Sequence, residues 1–289
     1  MTKTASKTAL GTAIMRAAHQ LLDDRPLLFE DPVALAILGA QITETIRAHA
    51  ARYQEPVNRA MRAHVCLRSR YTEDKLAQAA AAGISRYVLV GAGFDTFILR
   101  QPDWARTLQI IEVDHPATQA AKREMIGKAG FRMPGNVIFV ATDFTRETLG
   151  ESLACHGIGI DRPAYFSWLG VSMYLEESAI ETSLQAMSAF GPGSEVTLTF
   201  RQPPGPDPYA AAITAKLAKR VENAGEAFIS SFTPAAMEEK LLQCGYTNVV
   251  FLEPEKAEEL YFTPPRHDLP APTRTSIVFA SRSQQGHAP

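Results

Sequence analysis

Cysteine is scarce in this chain. The three residues, Cys66, Cys155 and Cys244, are far apart, odd in number and outside any CxxC pair. That argues against a disulfide framework or a zinc knuckle and fits a reducing, cytoplasmic setting. Also missing is any run of about 18 apolar residues, so no membrane-spanning helix is expected. Neither sign of charge dominates: 29 Lys and Arg stand against 31 Asp and Glu, for a net charge of −2. Such a balance gives no reason to expect nucleic acid or an anionic membrane as a partner. No HExxH motif or paired-acid ligand set occurs, so no metal is expected. Acids are absent from the first 22 residues, which hold Lys3, Lys7 and Arg16. A transit peptide has that bias, but the stretch TALGTAIMRAAHQLL carries the pattern of an amphipathic helix, which is the preferred reading.

What is present is a soluble, globular composition, 46% apolar and 21% charged, over 289 residues. That length can build one large α/β domain or two small ones. Two textures divide it. Residues 1–82 read as helices and form a helical cap. In LLFEDPVALAILG, Asp31 is an N-cap, Pro32 takes the first helical position, and Gly39 is expected to end the helix. A long helical pattern from PVNRAMRAH onward stops at Gly83. From residue 83 to the end, short apolar runs alternate with helical patterns. The runs are RYVLVG, LQIIEVD, NVIFVATD, AYFSWLG, EVTLTF, NVVFLEP and TSIVFASR. They predict a Rossmann-like α/β fold with a seven-stranded, mostly parallel sheet and an antiparallel last strand. The proline-rich RQPPGPDPY, from Arg201 to Tyr209, should leave the sheet and lead into a helical lid over about 201–230. Cap and sheet are expected to form one structural unit.

The first strand ends in Gly91-Ala92-Gly93-Phe94-Asp95-Thr96. Glycines at a strand end let the backbone turn tightly and approach a ligand. A dinucleotide fingerprint would place a third glycine where Thr96 stands, and a pyrophosphate would avoid the carboxylate of Asp95. The second strand ends in Asp114, 21 residues after Gly93. An acid about 20 residues on, at that strand end, suits ribose hydroxyls. The third strand delivers Asp143 and Phe144 to the same edge, an adenine-sized pairing and stacking surface. Three strand ends in register imply an adenosine without a pyrophosphate, and S-adenosylmethionine is the candidate. A nicotinamide-dependent oxidoreductase on a similar sheet is the alternative, and a non-enzymatic adenosine-binding protein is a third reading.

The motifs SKTAL, RAAHQLL…DPVALAILG, RSRYTED, VLVGAGFDTFILR, EVDHPATQAAKREMI, ATDF, FSWLGVSMYL and SFTPAAMEEKLLQCGY cover most of the chain. Through them the sequence resembles the leucine carboxyl methyltransferase-like class I methyltransferases, which include bacterial small-molecule O-methyltransferases. The resemblance implies that Arg70 of RSRY holds the methionine carboxylate of the cofactor, with Lys7. It implies that Gly91 and Gly93 line the methionine and ribose, Asp114 the ribose, and Asp143 and Phe144 the adenine. The carboxyl methyltransferases carry a Glu near the cofactor where this chain has Leu169.

Other residues are read from the pattern alone. Arg59 falls on nearly the same helical face as Arg70, and a solvated basic face is the competing reading for both. Asp95 should cap the helical segment after the glycine turn, and His115 should act as a local cap. Tyr174 and Arg201 are the candidates to face the acceptor, a small molecule. Trp104 and Trp168 are expected in the core. No general base stands out, which favours a carboxylate acceptor, since it is already ionised at neutral pH. The oligomeric state is not legible.

Overall fold

The computed structural model describes residues 5–205, 225–264 and 268–283, with isolated positions 215, 218, 219 and 222. Four helices come first: α1 Lys7–Leu22, α2 Pro32–Ala48, α3 Ala50–Tyr53 and α4 Pro56–Ala81. The Ser6 hydroxyl caps α1 by accepting from the Ala9 N–H at 3.0 Å. Asp31 caps α2 in the same way, with Pro32 at the first turn. Gly39 interrupts this helix as expected: at φ +80° and ψ 172° it leaves helical geometry, and a second helical stretch continues beyond the kink to Ala48. Glycine opens the turn there, but the apolar stripe beyond it, which includes buried Ile46, still needs a helix to bury it.

All seven apolar runs are strands: β1 Arg86–Val90, β2 Gln109–Asp114, β3 Val137–Ala141, β4 Tyr165–Trp168, β5 Glu195–Thr199, β6 Asn248–Phe251 and β7 Ile277–Ser281. Their order is β3-β2-β1-β4-β5-β7-β6. The first five pair parallel, and β7 runs antiparallel between β5 and β6. The helices α5 Pro116–Lys128, α6 Leu149–Cys155, α7 Glu177–Ser188, α8 Pro234–Gln243 and α9 Pro254–Tyr261 flank the sheet. Both faces of β1 and β4 are covered, which is why these strands read as unbroken apolar runs. On one face Tyr87, Leu89 and Ile110 pack with Leu67 and Leu76 of α4. On the other, Val88, Val90, Phe166 and Trp168 pack with Leu184 and Met187 of α7. Trp168 is in the core as expected, but Trp104 is not. It sits in a short 3-10 segment, 38% exposed.

Polar contacts bind the N-terminal helices to the turn after β1. Arg16 pairs with Asp31 at 2.8 Å and donates to the Phe94 carbonyl at 2.6 Å. Thr96 donates its hydroxyl to Asp31 at 2.6 Å. The residue in place of a third glycine is therefore a tether to α2. Burial alone would raise the Asp31 pKa, but Arg16, Arg100 and the Thr96 hydroxyl outweigh it and hold the carboxyl below its ordinary 3.8. A depressed native pKa means stabilisation that is complete above the unfolded value and lost as pH falls through the folded one. The urea midpoint should thus fall as pH drops below about 4, and less steeply in Asp31→Asn. Parallel pH curves for the two proteins would show that this carboxylate contributes nothing.

Candidate active site

Strand order reverses between β1 and β4, and a crevice opens at their carboxyl ends. A cavity of about 800 Å³ lies there, roofed by α1 and α4 and by residues 226–230. That volume is within the roughly 300–1,000 Å³ usual for small-molecule sites.

Its floor is the Gly91–Gly93 turn. Gly91 has φ +69°, and a Cβ there would lie 2.3 Å from Val171 Cγ2. Gly93 has φ +53°, and its N–H donates to the Asp114 carboxylate. Asp114 also accepts from the His115 N–H at 2.6 Å. Burial raises the Asp114 pKa, and these two N–H groups oppose that rise. Beneath, Glu112 pairs with Lys122 at 2.5 Å, both fully buried. Burial pushes the Glu112 carboxyl up to about 7 against the pull of Lys122. His115 accepts from the Ala117 N–H at 3.2 Å and caps α5 as expected, whereas Asp95, which accepts from the Phe97 N–H at 2.8 Å, stands one residue before Thr96, the N-cap of the short turn that follows.

Most of the residues singled out in the sequence meet in this cavity: Lys7, Gly91, Gly93, Asp114, Phe144, Leu169, Tyr174 and Arg201. Two do not. Asp143 stands at the rim, accepting from the Thr145 hydroxyl at 2.7 Å, with its other oxygen 4.0 Å from His115 Nε2. Arg70 points away altogether. It pairs with Asp74 at 2.9 Å, lies over the Tyr261 ring and is exposed. Arg59 is also outside the cavity, donating to the Asp268 carbonyl. The arginine that enters the cavity is Arg68. Residues two positions apart on a helix point about 200° apart, so only one of the arginines in RSRY can face inward. Arg68 Nε is buried with no hydrogen-bond partner among the described residues, and one guanidinium nitrogen is 2.7 Å from where a Cβ on Gly170 would be. Burial, together with the Arg16 charge, lowers its pKa to about 10.

Further lining residues come from segments that sequence patterns do not connect. His64 stands one turn before Arg68 and also lines the cavity. Burial and the Arg68 charge push its pKa down to about 3. Glu226 closes over the start of α1, accepting from the Ser6 hydroxyl at 2.9 Å, the Lys7 N–H at 3.1 Å and the Thr8 hydroxyl. Phe228 stacks on Tyr174, centroids 5.4 Å apart, and the Arg201 guanidinium lies 5.1 Å from the Phe228 centroid. Ile229 N–H donates to the Met173 carbonyl at 2.8 Å. Much of the helical lid expected over about 201–230 falls outside the described residues.

The sequence pattern of the leucine carboxyl methyltransferase family matches residues 9–188. A Bacillus subtilis (strain 168) protein, YktD, is 30% identical over 92% of this chain and 94% of its own. It is provisionally named an S-adenosyl-L-methionine-dependent methyltransferase. Among solved structures, a provisionally named methyltransferase from Thermobifida fusca YX superposes with TM-score 0.56 at 18% identity, covering 94% of both chains. A DUF574 family protein from Streptomyces avermitilis MA-4680 gives 0.57 at 13% identity, over 93% of this chain and 96% of its own. These two share the fold. The nicotinamide alternative finds no support among these relatives.

Proposed function

The chain belongs to the leucine carboxyl methyltransferase family and is an S-adenosylmethionine-dependent methyltransferase, and we propose that it methylates oxygen on a small-molecule acceptor, a carboxylate in preference to a hydroxyl. The residues present suit the cofactor. The Gly91–Gly93 turn lies on the cavity wall at the end of β1, with Val171 and Ala9 packed close against its backbone. The orphaned Arg68 Nε supplies a cation for the methionine carboxylate. In this reading Lys7 lies at the same end, Gly91 and Gly93 line the methionine and ribose, Asp114 accepts from ribose hydroxyls, and Phe144 and Leu169 give apolar surface beside the adenine. Arg68 takes the role that the resemblance gave to Arg70, and Asp143 is left at the rim.

When bound, S-adenosylmethionine supplies an electrophilic methyl group on a sulfonium. The chain's part is then to hold an oxygen in line and keep water out, and such positioning can lower a barrier by roughly 7–11 kcal/mol. The α1 helix and residues 226–230 close the cavity, which serves the second need.

The choice of carboxylate rests on one observation: of the two imidazoles lining the cavity, His64 is a very weak base, with a pKa of about 3, and the Nδ1 of His115 is occupied in accepting from the Ala117 N–H at 3.2 Å. Neither is well placed to deprotonate a phenol of pKa about 10. The Tyr174 hydroxyl is raised by burial and offers no better base. A carboxylate needs neither. Once an acceptor is found by screening, the product should release methanol in mild alkali, as esters do. The rate should be nearly flat from about pH 6 upward, because carboxylates ionise near 4. An alkali-stable ether, formed faster as pH rises, would overturn the carboxylate preference.

A further inference from the structure

The cavity is far more cationic than the chain. It is lined by six Lys and Arg residues and three carboxylates, whereas the whole chain carries a net −2. The three carboxylates are already engaged: Asp95 by the Phe97 N–H, Asp114 by the Gly93 and His115 N–H groups, and Glu226 at the start of α1. Arg16 is matched by Asp31, and Arg274 donates to the Pro203 carbonyl and to Gln202 Oε1. Arg52 is exposed. Two half-buried arginines are left with no carboxylate partner among the described residues, Arg68 and Arg201. Arg68 is accounted for by the cofactor.

Arg201 stands at the carboxyl end of β5, and its position is fixed from several sides. Its carbonyl accepts from the Phe232 N–H at 2.8 Å. Its guanidinium rests on the Phe228 ring, which in turn stacks on Tyr174 at an interplanar angle of 29°. A guanidinium stacked in this way keeps its in-plane N–H donors free for a carboxylate. The same cavity offers apolar wall from Met61, Met173 and Phe200.

We propose that Arg201 anchors an anionic group of the acceptor, and that the acceptor is an organic anion with an apolar body. This rests on the methyl-transfer reading of the cavity. S-adenosylmethionine carries a net positive charge, so filling the cofactor end adds to the pull on an anion rather than cancelling it.

The test uses the full chain saturated with S-adenosylhomocysteine. Calorimetric titration compares matched pairs: phenylacetate with phenylacetamide, 2-naphthoate with 2-naphthamide, and octanoate with octanamide. In at least one pair the carboxylate should bind about tenfold or more tightly than the amide, as a charge-assisted contact implies. Arg201→Gln should abolish that preference, Arg201→Lys should keep part of it, and neither should change affinity for S-adenosylhomocysteine. Equal binding within every pair, no binding by any pair, or a preference that survives in Arg201→Gln would each overturn the inference. Failure of the wild-type chain to bind S-adenosylhomocysteine would overturn the cofactor reading and this inference with it. Normal binding without an anion preference overturns the inference alone.

Discussion

Replacing Arg68 by methionine should weaken S-adenosylhomocysteine binding by roughly 10- to 150-fold, the equivalent of the 1.5–3 kcal/mol of a hydrogen bond to a charged group. The same change should raise the melting temperature of the ligand-free protein. Arg68 Nε is buried without a hydrogen-bond partner among the described residues, and burial lowers its pKa to about 10. Such a group costs stability that a methionine of similar length would recover. Opposite signs for affinity and stability are what a binding residue held in an unfavourable state should show. Arg70→Ala is the control, because Arg70 is exposed and paired with Asp74 on the far side of the helix. It should leave affinity within about twofold, as surface changes usually do. Lost affinity in Arg70→Ala with none lost in Arg68→Met would restore the assignment made from the motif.

Asp23→Ala should destabilise the protein by about 3–5 kcal/mol, the usual cost of removing one partner of a buried ion pair. Arg62 donates to both Asp23 oxygens at 2.6 and 2.7 Å, and His19 Nδ1 lies 2.7 Å from one of them. Since His19 Nε2 accepts from the Phe29 N–H, Nδ1 is the protonated nitrogen. Arg62 and His19 are fully buried, so the mutant strands a guanidinium that water cannot reach. We propose that residues 1–82 and the sheet unfold as one unit, since α4 shares a core with β1 and β2. Urea unfolding of the mutant should therefore remain a single transition, shifted to lower concentration. A loss under 1 kcal/mol, or a second transition, would contradict this account.

The sheet was legible because its central strands are buried on both faces, and that burial demands unbroken apolar runs. The ends of β1 and β2 were legible too, since a glycine turn and an acid 21 residues on have a backbone reason to occur together. The choice between Arg68 and Arg70 was not. Helix α4 is buried on most of its circumference, from Ala63 through Thr72, so apolar periodicity does not show which arginine turns inward. A cation facing a cavity looks, in sequence, like one facing water. Trp104 was misplaced for a related reason: a large aromatic residue does not announce that its segment is a surface 3-10 turn. His64, Glu226 and Phe228 meet at the cavity only because α4 and the segment after β5 converge there. No local pattern encodes that.

In the proposed reading Arg68 holds the cofactor's carboxylate in the cavity at the ends of β1 and β4. A calorimetric cycle compares S-adenosylhomocysteine with 5′-methylthioadenosine, which lacks the whole amino-acid tail, ammonium and carboxylate alike, on wild type and Arg68→Met. Wild type should prefer S-adenosylhomocysteine by at least the roughly 10- to 150-fold that one charge-assisted contact supplies. In Arg68→Met that preference should shrink by about the same factor. A preference of the same size in both proteins would contradict the claim.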